Sequence, residues 1–111
     1  MANKITSENL GGKMLGAAKT ALGSKAKDVK QYLKAESEKL AVTLRMIIEG
    51  RASGEISKDE ATILLNQQKH AASAVLTAVK GMTAVAAQSA INAALGVVRD
   101  FVNGKVGFPL L

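Results

Sequence analysis

The chain has no cysteine, a single proline and only three aromatic side chains among its 111 residues. Without cysteine it can form neither a disulfide framework nor a thiolate metal site. The proline, Pro109, lies so near the end that it interrupts no earlier helix. Because Ala and Gly are abundant while aromatic residues are scarce, a core of this composition must rely on close backbone approach rather than on bulky side chains.

Acidic residues are also few relative to the lysines, and the imbalance is concentrated near the start of the chain. The net charge is +6, of which residues 1–34 carry +5, from seven lysines against Glu8 and Asp28. Such a segment suits contact with anionic lipid or nucleic acid, although a solvated face of the same composition is equally ordinary. The predicted basic patch consists of Lys13, Lys19, Lys25, Lys27, Lys30 and Lys34.

Long apolar runs free of polar residues are missing as well. The longest uncharged run, residues 81–98, is just long enough to be considered as a membrane span, but it includes Gln88 and Asn92. No secretory signal peptide is evident, because Glu8, Lys13 and Lys19 interrupt the apolar positions near the start. The localisation therefore stays open between cytoplasmic, virion and membrane-associated.

Helical spacing of the apolar residues extends over almost the whole chain and predicts an all-α fold in a single helical domain. In residues 24–49 the apolar positions form a narrow stripe, typical of a helix with one face toward a partner and one toward water. Residues 8–23 keep this spacing but contain four glycines, which disfavour a helix without tertiary contacts. The predicted segments are a frayed start 1–7, a first arm 8–49, a turn 50–57, a second arm 58–103 and an apolar tail 104–111.

The turn carries the strongest local signal in the sequence. Gly50 is a natural helix stop, and Gly54 can adopt a left-handed conformation. Ser57, followed three residues later by Glu60, predicts a helix cap of the capping-box type at the start of the second arm.

The second arm is the main reason to expect an assembly. Over residues 58–103 the polar positions fall on one narrow line, so the predicted helix is apolar on most sides. Its length would be about 69 Å at 1.5 Å per residue. The simplest architecture is a long antiparallel helical hairpin with its turn near 50–57, completed by oligomerisation or by lipid. A compact three- or four-helix monomer, with breaks near Gly23 and Gly81 or Gly96, is the alternative.

Two sets of residues follow from the hairpin. The apolar side of the second arm predicts an oligomer or membrane interface, and small residues in the first arm predict close helix packing. The interface residues are Leu64, Val75, Val79, Met82, Val85, Ala86, Ile91, Leu95, Val98 and Val102. The small-residue packing set is Gly12, Gly16, Ala17 and Ala21. The tail is expected to latch onto a neighbouring copy through residues 106–111.

No group of residues indicates a reaction centre. His70 is the only histidine, and its helical neighbours Asn66 and Ser73 supply neither an orienting carboxylate nor further metal ligands. The turn partly matches a calcium-binding loop, but Arg51 would stand at a ligand position and repel the ion. Glu36 and the other acidic side chains are expected to form solvated surface pairs. We therefore expect no enzyme activity, no cofactor, no metal and no small-molecule substrate.

Three functions remain open, in this order. The first is a non-enzymatic structural or assembly subunit, a homo-oligomer formed through the Ala-rich apolar helix, as in a virion or a secretion or injection device. The second is a membrane-associated or pore-forming helical protein that contacts an anionic membrane surface. The third is a basic protein that binds nucleic acid non-specifically, because the lysines lack a reading motif and only Tyr32 accompanies them.

Overall fold

The fold is all-helical in a computed structural model that describes residues 4–111. Its elements are α1 (Leu10–Leu22), a 3₁₀ segment (Gly23–Val29), α2 (Lys30–Ser53), α3 (Lys58–Thr77) and α4 (Ala84–Val106). Of the predicted frayed start, residues 1–3 lie outside the described residues. Just before α1 the chain forms a turn, in which the Thr6 amide donates to Asn9 Oδ1 at 2.8 Å.

The predicted continuous helix over 58–103 is wrong, because α3 ends at Thr77 and α4 begins at Ala84. Gly81 adopts a left-handed backbone conformation, with φ of +88°. Thr83 then caps α4, its side chain accepting a hydrogen bond from the Ala86 amide at 3.0 Å. The chain therefore folds back on itself and covers its own apolar helix.

The first arm is interrupted in the same way at Gly23, where φ is +61°. The result is a compact helical bundle in place of the long hairpin. The breaks lie at Gly23 and Gly81, two of the three glycines at which the alternative compact monomer was expected to break. The principal-axis extents of 42 × 33 × 19 Å leave no room for an arm of about 69 Å.

The bundle is held together mainly by α1, which packs against both α2 and α4. The α1–α4 contact is the most extensive, α2 also packs on α3, and α4 reaches α2 and α3. The largest fully buried side chains come from every helix and are Leu10, Met14, Val29, Leu33, Leu40, Leu44, Ile47, Leu76, Val98 and Val102.

The turn between α2 and α3 forms through tight local contacts. Gly50 lies so close to Ile56 that a Cβ added to the glycine would collide with that side chain, coming within 2.5 Å of its Cγ1. The Glu60 amide donates to Ser57 Oγ at 3.1 Å, and the Ser57 amide donates to Glu60 Oε1 at 2.8 Å. This reciprocal capping box starts α3. The hydrogen bonds from the Ser57 backbone and side chain lower the pKa of the Glu60 carboxyl below its ordinary value.

The apolar tail packs on the chain's own bundle. Helix α4 continues to Val106, which is buried, and Phe108 then lies beside the Arg51 guanidinium, 5.4 Å from the ring centroid. Arg51 Nε also donates to the Val106 carbonyl at 3.2 Å, and the Leu111 amide donates to Asn103 Oδ1 at 2.9 Å. In this fold the segment expected to hold a neighbour therefore closes the bundle to which it belongs.

Candidate functional site

The predicted interface residues do not form one surface in this fold. Five of them lie in the core, namely Met82, Ile91, Leu95, Val98 and Val102. Three are half-buried, namely Val75, Val79 and Ala86, and the last two of these pack against the core. Only Leu64 and Val85 are exposed, by 37% and 77%. The ten residues therefore do not describe a single exposed interface of this bundle.

The small residues of α1 also lie differently from the prediction. Gly12, Gly16 and Ala21 are exposed, Ala17 is half-buried, and a Cβ added to either glycine would meet no atom within 4 Å. The close approach is made instead by Gly11, whose added Cβ would collide with the Glu38 side chain of α2. Glycine spacing alone could not distinguish the buried Gly11 from its exposed neighbour.

Three of the predicted basic residues come together where α1 gives way to α2. Lys19, Lys27 and Lys30 line a shallow depression of about 320 Å³ whose other lining residues are Gly23, Ser24 and Ala26. The left-handed Gly23 turns the chain, and in the 3₁₀ segment that follows only Val29 is buried. The other residues of that segment are exposed, except Ala26, which is half-buried against the core. None of the six lining residues is acidic.

A second hollow joins this region to the turn between α3 and α4. It has a volume of about 80 Å³ and is lined by Lys25, Asp28 and Val29 on one side and by Lys80, Gly81 and Met82 on the other. Lys80 was absent from the predicted patch because sequence separation hides its proximity until the chain folds back at Gly81. Of the other predicted lysines, Lys34 follows Lys30 by one turn of α2, and the half-buried Lys13 lies earlier on α1.

We call residues 19–34 and 78–85 the basic end of the bundle. They contain six lysines and one aspartate, and so account for +5 of the net charge of +6. The ion pairs seen among residues 4–111 join Lys39 to Glu36, Arg45 to Glu38 and Arg99 to Asp100. None of the six lysines of the basic end takes part in them, and Asp28, which lines the second hollow together with Lys25, is the one acidic residue of that end.

The polar residues that were predicted to form one line along a long helix lie on α3 and α4 and line the two sides of a groove between these helices. Lys69 and Asn66 of α3 face Asn92 and Arg99 of α4 across a space of about 260 Å³, which Leu110 and Leu111 of the tail also line. An adjoining hollow is lined by Asn66, Lys69, His70, Ser73 and Gln88. Gln88 Nε2 donates to Asn92 Oδ1 at 2.9 Å, so part of the groove's hydrogen-bonding capacity is already used within α4.

One acidic side chain is buried, in contrast to the predicted solvated pairs. Glu36 is 3% exposed, and its Oε2 accepts from Lys39 Nζ at 3.1 Å. Its Oε1 has no hydrogen-bond partner and is enclosed by the protein. The carboxylate borders a cavity of only about 10 Å³ among apolar side chains of all four helices, which leaves no space for a substrate. Sequence periodicity could have raised this possibility, since Glu36 lies on the same helical face as Leu33 and Leu40.

Among residues 4–111 we found no site of a standard type. No three His, Cys, Asp or Glu side chains lie close enough together to hold a metal ion. None of the helices described is both long and apolar enough to cross a bilayer. No protein-family model matches this chain, and no curated protein or solved structure matches it either. A function for this chain must therefore be inferred from its own surface chemistry.

Proposed function

We propose that this chain is a non-enzymatic protein that binds an anionic partner through its basic end. The observation that supports this proposal best is the convergence of Lys19, Lys27 and Lys30 on one depression without an acidic neighbour in its lining. Lys25 and Lys80 extend the positive charge into the adjoining hollow, where they outnumber the single carboxylate of Asp28. An anionic partner would find several ammonium groups there that need no ion pair to be broken before binding.

The repulsion among clustered lysines favours an anion-binding surface over a surface that serves solubility alone. Like charges gathered at one place repel one another and destabilise the folded state, whereas mixed signs keep a protein soluble without that cost. The rest of this chain shows such mixing, with a net charge of about +1 over all residues outside the basic end. The uncompensated charge is thus restricted to a single region, as in proteins that steer an anionic ligand toward a binding surface.

The proposal predicts salt-sensitive binding to a polyanion that depends on the lysines at the depression. Lys27→Gln/Lys30→Gln should weaken the affinity for heparin by about thirtyfold at low salt, because each lysine beside an anionic surface contributes on the order of 1 kcal/mol. Fluorescence titration of labelled heparin would measure this change. The matched control is Lys4→Gln/Lys105→Gln, which removes the same charge from two exposed lysines, one before the start of α1 and one in the last turn of α4. Equal losses in both variants would rule out a localised site.

Self-association is the second candidate function, and one observation favours it. Large apolar side chains are exposed on the outer sides of α2 and α3, and those nearest the turn are Val42, Met46, Ile63 and Leu64. Apolar side chains so placed could pair with a second copy. Size-exclusion chromatography with light scattering would then give a defined multimer that Met46→Glu dissociates. A monomer at every concentration would remove this candidate.

A further inference from the structure

The basic end also contains the most exposed large apolar side chain of the described residues. Val85 lies in the first turn of α4 and is 77% exposed, whereas the exposed fractions of other such side chains are 37–59%. It comes three residues after Met82, which lines the hollow shared with Lys25 and Asp28. An isolated exposed valine has no significance by itself. Its location at the one region of concentrated positive charge is the feature that needs an explanation.

We infer that the anionic partner of the basic end is a lipid surface, and that Val85 inserts among the headgroups while the lysines contact their phosphates and carboxylates. This inference rests on the proposed anion-binding function and adds the class of partner. Peripheral membrane proteins combine lysines with apolar side chains in this way, since each lysine gains from the surface potential and each apolar group gains from burial. The protein would lie on the bilayer without crossing it.

The short loops at this end suit such a contact. The 3₁₀ segment and the turn before α4 lie side by side, as the hollow lined by Val29 and Gly81 shows. Together they form the end of a bundle only 33 × 19 Å across its two shorter axes. Gly81, Thr83 and Ala84, which precede Val85 in the chain, are exposed and have only small side chains.

Nucleic acid is the competing anionic partner, and the composition of the basic end favours it less. Nucleic-acid bases stack on aromatic side chains. Tyr32 is the one aromatic residue in 19–34, and it follows the lysines of the depression on α2. Residues 78–85 contain no aromatic residue. Phosphate contacts alone would allow non-specific binding to a duplex. They would give Val85 no role, because an apolar side chain gains little beside a hydrated phosphate backbone.

Flotation with vesicles separates these partners. The wild-type chain should float with vesicles of phosphatidylcholine and phosphatidylserine and remain unbound with phosphatidylcholine alone. Lys27→Gln/Lys30→Gln should reduce the partition coefficient by about thirtyfold and Val85→Ser by about three- to tenfold. Val97→Ser is the matched control, since Val97 is exposed on the same helix about 18 Å farther along. The control should bind as the wild-type chain does.

The same variants, titrated with a duplex DNA and with heparin, distinguish the failure of this inference from that of the proposed function. Binding to DNA or heparin that depends on Lys27 and Lys30, without flotation, would overturn the lipid inference and leave the anion-binding function in place. Flotation unaffected by Val85→Ser would overturn the insertion of Val85. No binding to vesicles, DNA or heparin at low salt would overturn both proposals.

Discussion

Val98→Asp is expected to destabilise the protein severely, while Val97→Asp at the next position changes its stability little. Val98 is fully buried in α4, and a carboxylate there would have no partner and no access to water. Burying an uncompensated charge costs about 3–5 kcal/mol or more, a large part of the roughly 5–15 kcal/mol by which a domain of this size is stable. Val97 is 44% exposed, so its substitution should cost about 1 kcal/mol or less.

Urea unfolding followed by circular dichroism, with light scattering on the same samples, would test this pair. The compact bundle predicts a large fall in the urea midpoint of Val98→Asp alone, with no requirement that the wild-type chain be oligomeric. If Val98→Asp stayed fully helical but dissociated a wild-type multimer, Val98 would belong to an interface between copies and the long hairpin would be the better description. The two positions differ by one residue on one helix, so helix propensity cannot account for a difference between them.

The all-helical class and the local features of α2 and α3 were predictable from the sequence, because local signals determine them. The spacing of Leu33, Leu40 and Leu44 predicted the buried stripe of α2, and all three side chains are buried. The reciprocal bonds of Ser57 and Glu60 follow directly from their spacing of three residues. These features depend on residues close together in the chain, which is why one sequence suffices to identify them.

The break in the second arm was not predictable with the same certainty, because two outcomes satisfied the same pattern. A helix continuous through Gly81 and a turn at Gly81 both keep the apolar residues on helical spacing. Glycine within a helix costs about 1 kcal/mol relative to alanine. Burial of the neighbouring apolar side chains can offset this cost in a continuous helix, or can stabilise a turn at the glycine instead. Thr83 before an Ala-rich run was the missed signal, since a threonine at that place can cap a new helix as well as continue the old one.

That break also determined how far the candidate site could be predicted. The lysines near the start of the chain were identifiable from charge alone, and Lys19, Lys27 and Lys30 do line one depression. Lys80 and Val85 join the basic end only through the reversal at Gly81, so no local pattern could have assigned them to it. A surface formed by two distant segments requires the fold before it can be recognised.

Glu36→Leu is expected to stabilise the protein by about 1–3 kcal/mol, the opposite sign from most substitutions of buried residues. The carboxylate of Glu36 is buried with one oxygen unpartnered, and its single ion pair joins it to Lys39, whose side chain is 58% exposed. Because Lys39 is so exposed, its ion pair offsets little of the free energy that desolvation of the Glu36 carboxylate costs. Leucine has a similar volume, keeps the helix propensity and fits an environment lined by Leu33, Leu40 and other apolar side chains.

Glu38→Leu provides the matched control, because it makes the same chemical change two residues away on α2. The Glu38 side chain is 61% exposed and pairs with Arg45 at 3.3 Å, so its replacement should change the free energy of unfolding by about 0.5 kcal/mol or less. Urea denaturation of the two variants would measure the difference directly. A loss of stability in Glu36→Leu would show that the buried oxygen has a partner that compensates its desolvation. A gain in stability confined to Glu36→Leu would show that the buried carboxylate of Glu36 destabilises the bundle. Folding alone would not explain the presence of such a carboxylate.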